Sequence, residues 1–178
     1  MAYCNKRLIL ASGSPRRREL LEMLGVPDLT IRPAKGPERA TPGAGPEQTV
    51  RELSLHKAQE VAQTCAPEDI IIAADTIVYL DGAILGKPRD HDDAVRMLKM
   101  LSGRAHHVYT GVCLRRPDGS ELYDASITRV AFITLPDVLI ERYVDTGEPM
   151  DKAGAYGIQG RGCTLVRRIE GDYPTVVG

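Results

Sequence analysis

The sequence lacks an excess of charge of either sign. Its 178 residues include 23 basic and 24 acidic side chains, which give a formal net charge of −1. Proteins dedicated to nucleic acid or to anionic membranes usually carry a basic excess, so this balance argues against both partners. Charged residues make up 26% and apolar residues 43% of the chain, which is typical of a globular protein and not of a disordered one.

Cysteine pairs and long apolar runs are also missing. No Cys-x-x-Cys pair occurs, which favours reduced thiols over a disulfide framework or a zinc site. The cysteines are Cys4, Cys65, Cys113 and Cys163. The apolar run 8–11 is too short for a signal peptide, and no other run approaches membrane-spanning length. We therefore expect a cytoplasmic protein without a membrane partner.

Several catalytic signatures are absent as well. The chain has neither a His-Glu-x-x-His nor a Gly-x-Ser-x-Gly motif, and its histidines show no metal-ligand spacing. We expect all four to be structural or surface residues; they are His56, His91, His106 and His107. The segment 82–88 is not a phosphate-binding P-loop, because it is one residue short and has Pro88 where Ser or Thr should bind magnesium.

Predicted helices alternate with strands, and one long hairpin interrupts the alternation. The predicted strands are 8–11, 29–33, 70–74 with a continuation at 77–80, 107–115, 120–135 and 163–169. The predicted helices are 15–24, 48–65, 92–101 and 136–146. This order predicts an α/β fold with a mixed sheet. No repeat or low-complexity linker divides residues 1–178, so we expect a single domain.

The segment 12–18 combines a strand-to-helix turn with three arginines. Ser14 is the predicted N-cap and Pro15 the first helical residue. Arginines in a first turn oppose the helix dipole, at a cost of about 0.3–1 kcal/mol each. A bound anion would reverse that effect, since helix N-termini often hold phosphates. A solvated arginine cluster is the alternative.

Asp75 directly follows the apolar strand 70–74. In open α/β sheets ligands bind at strand ends, where a carboxylate can hold Mg²⁺ or accept a proton from an attacking water. An aspartate that merely ends the strand and caps Thr76 is the alternative. The residue taken alone does not decide between the two interpretations.

Other candidate residues are individually weak. Lys57 and Lys87 could add positive charge for a polyphosphate, or could be surface lysines. Glu38 could join a metal site, although loop carboxylates are usually solvated. The glycine-rich segment 154–162 would let backbone approach a ligand, and its Gln159 could hydrogen-bond a base edge or simply face solvent.

Considered together, these segments resemble the Maf family of nucleotide pyrophosphatases across nearly the whole chain. The segments that carry the resemblance are 10–17, 19–21, 57–58, 74–76, 86–88, 101–104, 108–111 and 151–160. The resemblance implies a single elongated α/β domain with a twisted mixed sheet, two lobes and a central cleft, similar to inosine triphosphate pyrophosphatase. It also implies hydrolysis between the α- and β-phosphates of a nucleoside triphosphate, with Mg²⁺ or Mn²⁺ as cofactor, and a possible homodimer.

The resemblance also implies roles for particular residues. Asp75 falls on the position of the proton acceptor, and Arg16, Thr76 and Gln159 fall on positions that separate substrate classes. Their combination is similar to the branch acting on dTTP and UTP, which also accepts modified pyrimidine triphosphates. The expected phosphate-binding residues are Ser14, Arg17, Lys57 and Lys87. The expected metal ligands are Asp75 and Glu38.

Two other functions stay open, and one departure from the family stands out. A non-catalytic nucleotide-binding regulator of cell division would keep binding without turnover. An enzyme of the same fold could instead act on 7-methylguanosine triphosphate or another purine analogue. Family members continue beyond Gly178 into a final helix; its loss would expose apolar surface, so the resemblance leaves the stability and the dimer geometry of this chain open.

Overall fold

A computed structural model describes residues 7–26 and 28–178, so Cys4 lies outside the described residues. The strands are β1 (Leu8–Leu10), β2 (Thr30–Ile31), β3 (Ile70–Leu80), β4 (Ala83–Leu85), β5 (Ala105–Arg115), β6 (Glu121–Phe132) and β7 (Val166–Glu170). The helices are α1 (Pro15–Met23), α2 (Pro46–Ala62), α3 (His91–Leu101), α4 (Asp137–Val144) and α5 (Tyr173–Val177). Three 3₁₀ turns follow α4, at Glu148–Asp151, Ala153–Ala155 and Gly160–Leu165.

The strands form one sheet in the order β2-β1-β3-β5-β6-β7, and β4 pairs with β3. β1 runs parallel to β2 and to β3, with Leu10 opposite Ile72 at the end of the second pairing. β4 is antiparallel to β3, and β7 is antiparallel to β6. The predicted α/β class with a mixed sheet is therefore confirmed.

The backbone divides into two compact units. The first holds the described residues up to Asp75, together with Thr110–Ala125 and Gly178. Its apolar core joins β1 and β3 to α2 through Ile9, Ile71, Ala73, Ala58 and Val61. The segment before α2 ends at Gly45, and Pro46 fits the first turn because the N–H that proline lacks would have no partner within the helix.

The second unit holds Thr76–Tyr109 and Ser126–Val177. Its larger core includes Val78, Leu98, Leu101, Val130 and Ile140. The side chain of Asp90 caps α3 by accepting a hydrogen bond of 2.8 Å from the Asp93 N–H. The helix predicted at 92–101 is confirmed as α3, whose buried residues include Ala94, Leu98 and Leu101.

The elements differ from the predicted ones mainly at their ends. The last strand begins at Val166, because Cys163 belongs to the 3₁₀ turn before it. The short elements β4 and α5 were not predicted. No residue of α1 is buried, and Leu24 just after it is exposed. Within the described ranges, no helix is both long and apolar enough to cross a membrane.

Candidate active site

Asp75 lies in the middle of β3 and not at its end. The strand is continuous over eleven residues, so the prediction that it ends at Asp75 is wrong. β1 nevertheless stops pairing at Ile72, three residues before Asp75, and the chain turns there into α1. Asp75 alternates with Ile71 and Ala73, so its side chain shares their face of β3, which packs against α2.

Lys57 connects two of the predicted site carboxylates. Its side chain leaves α2 next to the core residue Ala58, and Nζ forms an ion pair with Oδ1 of Asp75. The same Nζ lies 2.8 Å from Oε1 of Glu38. The Asp75 side chain is 9% exposed and that of Glu38 is 59% exposed, so the two carboxylates approach Lys57 from the protein interior and from solvent.

Burial of Asp75 shifts its protonation. Desolvation raises the pKa of the Asp75 carboxyl above its ordinary value, although Lys57 and Arg17 pull it down. The nearby Glu38 carboxylate raises it further. A carboxylate with a raised pKa accepts a proton more readily, so Asp75 has the property required of a general base.

The N-terminus of α1 is organised by Ser12. Its Oγ accepts a 3.2 Å hydrogen bond from the Ser14 N–H and a 3.1 Å bond from Nη1 of Arg17. Arg17 Nε also donates to the carbonyl of Gly178, at 3.1 Å. Ser14 occupies the N-cap position as predicted, but its side chain makes no capping hydrogen bond. Sequence reasoning missed Ser12, although the Ser-Gly-Ser turn before the helix was the available signal.

The first turn of α1 concentrates positive charge. It contains no acidic residue, and Arg16 and Arg17 lie next to each other in it. Burial lowers the pKa of Arg17, and neighbouring Arg16 lowers it further, while Asp75 and Glu38 oppose the shift. The charged guanidinium is therefore in an unfavourable environment, to which the positive end of the helix dipole adds, and a bound anion would improve it.

The carboxylates can also be tested as a metal site. Asp75 Oδ1 and Glu38 Oε1 both contact the Lys57 ammonium, so two hard oxygen donors converge on one cation. That donor type fits Mg²⁺ or Mn²⁺, which proteins often bind through one or two carboxylates plus phosphate and water. Residues 7–26 and 28–178 contain no cluster of three or more His, Cys, Asp or Glu side chains. The two carboxylates therefore fit a divalent cation that is completed by phosphate and water.

The other predicted site residues belong to the second unit. Thr76 is half-buried in β3, Lys87 is exposed after β4, and Gln159 is half-buried just before the last 3₁₀ turn. The Gly154 N–H donates to the Gly86 carbonyl at 3.0 Å, which joins the segment before Lys87 to the glycine-rich segment.

The glycines of the segment 154–162 contact protein atoms. A Cβ on Gly154 would lie 2.8 Å from the Val78 side chain, and one on Gly157 would lie 2.7 Å from Lys152. The backbone here lies close to side chains of the protein itself, and its approach to a ligand stays a prediction.

His106 is a core residue, as expected for a structural histidine. It is 1% exposed, and its Nε2 lies 2.7 Å from the Tyr156 hydroxyl. Its ring meets those of Phe132 and Tyr156 edge-on, with centroids 5.1 and 5.3 Å apart. Burial, with a smaller effect of His107, lowers the pKa of His106 to about 3.

Comparison with known proteins finds relatives from different organisms that carry the same name. A protein named dTTP/UTP pyrophosphatase from Anaeromyxobacter dehalogenans strain 2CP-1 is 52% identical over 175 residues, 97% of this chain and 87% of that protein. Proteins with the same name from Bacillus velezensis and Thermococcus gammatolerans are 46% and 48% identical. These alignments cover 97% and 96% of this chain and 90% and 89% of those proteins.

Solved structures show a related fold. The Staphylococcus aureus Ham1 protein matches with a TM-score of 0.53 at 13% identity, over 90% of this chain and 80% of that one. A HAM1 protein from Coxiella burnetii matches with a TM-score of 0.51 at 15% identity, with the same coverage of both chains. The family model described as Maf-like protein matches residues 7–178. The chain therefore belongs to the Maf-like protein family.

Proposed function

We propose that this protein is a nucleoside triphosphate pyrophosphatase that hydrolyses dTTP and UTP to the monophosphate and pyrophosphate. The observation that carries the proposal is the buried carboxylate of Asp75 beside the cations Lys57 and Arg17. The dTTP/UTP pyrophosphatases that are about half identical to this chain support it. Modified pyrimidine triphosphates are further candidate substrates, and the cytoplasm is the proposed compartment.

Phosphate binding is assigned to the cationic side chains and to the N-terminus of α1. Arg16 and Arg17 lie in the first turn, where the backbone N–H groups also favour an anion. We assign Arg17, Ser14, Lys57 and Lys87 to phosphate oxygens. Their charges offset those of the triphosphate and of the leaving pyrophosphate, and such electrostatic stabilisation is usually a large part of phosphoryl-group catalysis.

Asp75 and Glu38 would hold the divalent cation, Mg²⁺ or Mn²⁺. When bound, such a cation neutralises phosphate charge and lowers the pKa of water. Asp75 is the proposed proton acceptor when water attacks the α-phosphorus, because burial favours the protonated form of its carboxyl. Lys57 stabilises the carboxylate before that transfer through its contact with Oδ1.

The first experiment replaces Asp75. Wild-type protein with Mg²⁺ or Mn²⁺ should release pyrophosphate with TMP or UMP, and EDTA should stop the reaction. Asp75→Asn should lower kcat by about 10²–10⁴-fold, the usual contribution of a general base. Product chromatography identifies the products and measures kcat for the wild type and the variant. Asp124→Asn, which alters an exposed aspartate of β6, is the matched control and should keep wild-type kcat.

The same assay separates the enzyme from the regulator. Full turnover by a folded Asp75→Asn protein would contradict the role of Asp75. Nucleotide binding by the wild type without turnover on any triphosphate would contradict the enzyme and favour the regulator.

Base selectivity is assigned to Arg16, Thr76 and Gln159. Exchange of Gln159→Leu removes both the donor and the acceptor of the amide, and should lower kcat/KM for UTP by about tenfold or more relative to a purine triphosphate. The exposed Gln63→Leu is the matched control, because Gln63 lies just after α2. If the ratio of kcat/KM for UTP to that for GTP is unchanged in Gln159→Leu, the residue does not recognise the base. A preference of the wild-type protein for 7-methylguanosine triphosphate would favour the purine-analogue alternative.

A further inference from the structure

Glu148 holds the segment that contains Gln159. It begins the 3₁₀ turn Glu148–Asp151, and its carboxylate is half-buried. Oε1 accepts a 2.9 Å hydrogen bond from the Gly162 N–H, and Oε2 accepts a 3.0 Å bond from the Arg161 N–H. One carboxylate therefore receives two successive backbone donors from the end of the glycine-rich segment.

Tyr143 extends this contact to the start of the same segment. Its hydroxyl lies 3.0 Å from Oε1 of Glu148 and accepts a 3.2 Å hydrogen bond from the Gly157 N–H. Since the hydroxyl has one proton, it donates to Glu148 while it accepts from Gly157. Both ends of the segment 157–162 are thus tied to one glutamate–tyrosine pair, and Gln159 lies between the two attachment points.

The glycines of the segment match the space that Glu148 and Tyr143 fill. A Cβ on Gly160 would lie 2.9 Å from Glu148 Oε2, and Gly160 has a φ of +69°, which favours glycine. A Cβ on Gly162 would lie 2.6 Å from the Tyr143 hydroxyl and would overlap the Gly157 carbonyl. Glycine at positions 160 and 162 is therefore explained by close packing on this pair.

The carboxylate is well suited to this position. Burial opposes its ionisation, but the N–H groups of Gly162 and Arg161 and the Tyr143 hydroxyl outweigh burial and hold the pKa of Glu148 below its ordinary value. An ionised carboxylate only accepts hydrogen bonds, so it can take all three donors. A glutamine would turn an N–H₂ group toward one of them. Burial also raises the pKa of Tyr143, which keeps its hydroxyl protonated.

We propose that Glu148, acting through Tyr143 and the backbone of residues 157–162, is a positioning residue that fixes Gln159 for selection of the pyrimidine base. This inference rests on the proposed function and deepens it, because it names what sets the geometry of the selectivity residue. A site that hydrogen-bonds a base discriminates only when its donor and acceptor are held in place.

The test uses two variants and a matched control. Glu148→Gln keeps the size of the side chain but changes one acceptor into a donor, and Tyr143→Phe removes only the hydroxyl. The control is Glu141→Gln, an exposed glutamate of α4. Hydrogen exchange followed by mass spectrometry reads the amides of residues 157–162 directly. Steady-state kinetics with UTP and GTP give the selectivity.

We expect hydrogen exchange at residues 157–162 to be faster than in the wild type by about tenfold or more in both variants. In the control, the exchange rate should not change. The ratio of kcat/KM for UTP to that for GTP should fall about tenfold in both. A purely structural role would lower the activity on both nucleotides equally, so an unchanged ratio in a folded variant would overturn the proposal. Unchanged exchange at residues 157–162 would overturn it as well.

The two proposals fail in distinguishable ways. Absence of turnover by the wild-type protein on any triphosphate contradicts the proposed function, whatever the variants do. Wild-type turnover on UTP with unchanged exchange and selectivity in both variants contradicts the role of Glu148 alone.

Discussion

In the first unit, charged side chains contact one another where burial disfavours their charged forms, whereas in the second unit hydrogen bonds match the carboxylate of Glu148. Lys57 contacts two carboxylates, and Arg17 remains a cation in a buried setting that lowers its pKa. Glu148 in the second unit accepts from two backbone N–H groups and one hydroxyl. Burial disfavours the charged forms of Asp75 and Arg17 in the first arrangement, whereas hydrogen bonds outweigh burial at Glu148 in the second.

This difference suggests a division of labour between the two sets of residues. Groups that bind phosphate and accept a proton work best where burial disfavours their charged forms, because the substrate then supplies stabilisation that water does not. Groups that recognise a base work best on a segment that does not move.

The largest effect is expected from filling space in the second unit. Gly162→Ala places a methyl group against the backbone of Gly157, which cannot yield as a side chain can. We expect the free energy of unfolding to fall by about 3 kcal/mol, at the upper end of typical overpacking costs. Gly36→Ala in the first unit is the comparison: its Cβ would meet only the end of the flexible Glu60 side chain, at 2.6 Å.

Urea denaturation of both variants gives the two values. A loss below about 0.5 kcal/mol is expected for Gly36→Ala, as for most surface substitutions. Equal losses in the two variants would show that the second unit is no more rigid than the first.

A smaller effect is expected from acid. The pKa of His106 is lowered to about 3 in the folded protein, against 6.5 for an ordinary histidine. Below pH 6.5 the unfolded chain therefore binds a proton at this imidazole that the folded protein does not bind. The contribution of His106 to the free energy of unfolding is therefore full above that pH and declines as the pH falls toward 3. At pH 5.0 the loss should be about 2 kcal/mol, since each pH unit contributes about 1.4 kcal/mol.

The measurement is the change in the free energy of unfolding between pH 7.5 and pH 5.0. His106→Gln should show a change about 2 kcal/mol smaller than the wild type, because the variant has no imidazole to protonate. His107→Gln, which alters the exposed neighbour, should behave as the wild type does. If all three proteins lose stability equally, the buried imidazole does not contribute to acid sensitivity.

The sequence predicts more of the local structure than of the contacts. The hairpin was predicted at 107–115 and 120–135, and β5 and β6 span Ala105–Arg115 and Glu121–Phe132. Alternating apolar residues on either side of a Pro-Asp-Gly turn are typical of a β-hairpin, so the sequence predicts it well. The strand break predicted at Asp75 was wrong, because pairing with neighbouring strands overrides the weak local preference of a single aspartate.

Contacts between distant residues explain most of what sequence reasoning missed. Lys57, Glu38 and Asp75 were each weak candidates, and only folding shows that one ammonium contacts both carboxylates. Ser12 was passed over because a serine before a helix suggests capping, whereas its Oγ accepts from Arg17. Nothing in the local pattern around Glu148 signals its bonds to Arg161 and Gly162, because those bonds depend on how three successive 3₁₀ turns fold back.

The smallest effect on stability is expected at the residue with the largest expected effect on activity. Burial raises the pKa of Asp75, so the ionised carboxylate is disfavoured in the folded protein. The free-energy cost of ionising it is absent in acid, where the carboxyl is protonated in both states, and is complete once the pH exceeds the folded pKa. Asp75→Asn removes the charge at constant size and leaves Lys57 with Glu38. At pH 7.5 in EDTA, we expect the free energy of unfolding to stay within about 1 kcal/mol of wild type or to rise, as replaced active-site charges often allow. Thermal and urea denaturation measure it. A loss above about 2 kcal/mol would mean that the Lys57–Asp75 pair stabilises the first unit, and the proposed contrast between the two sets of residues would then be wrong.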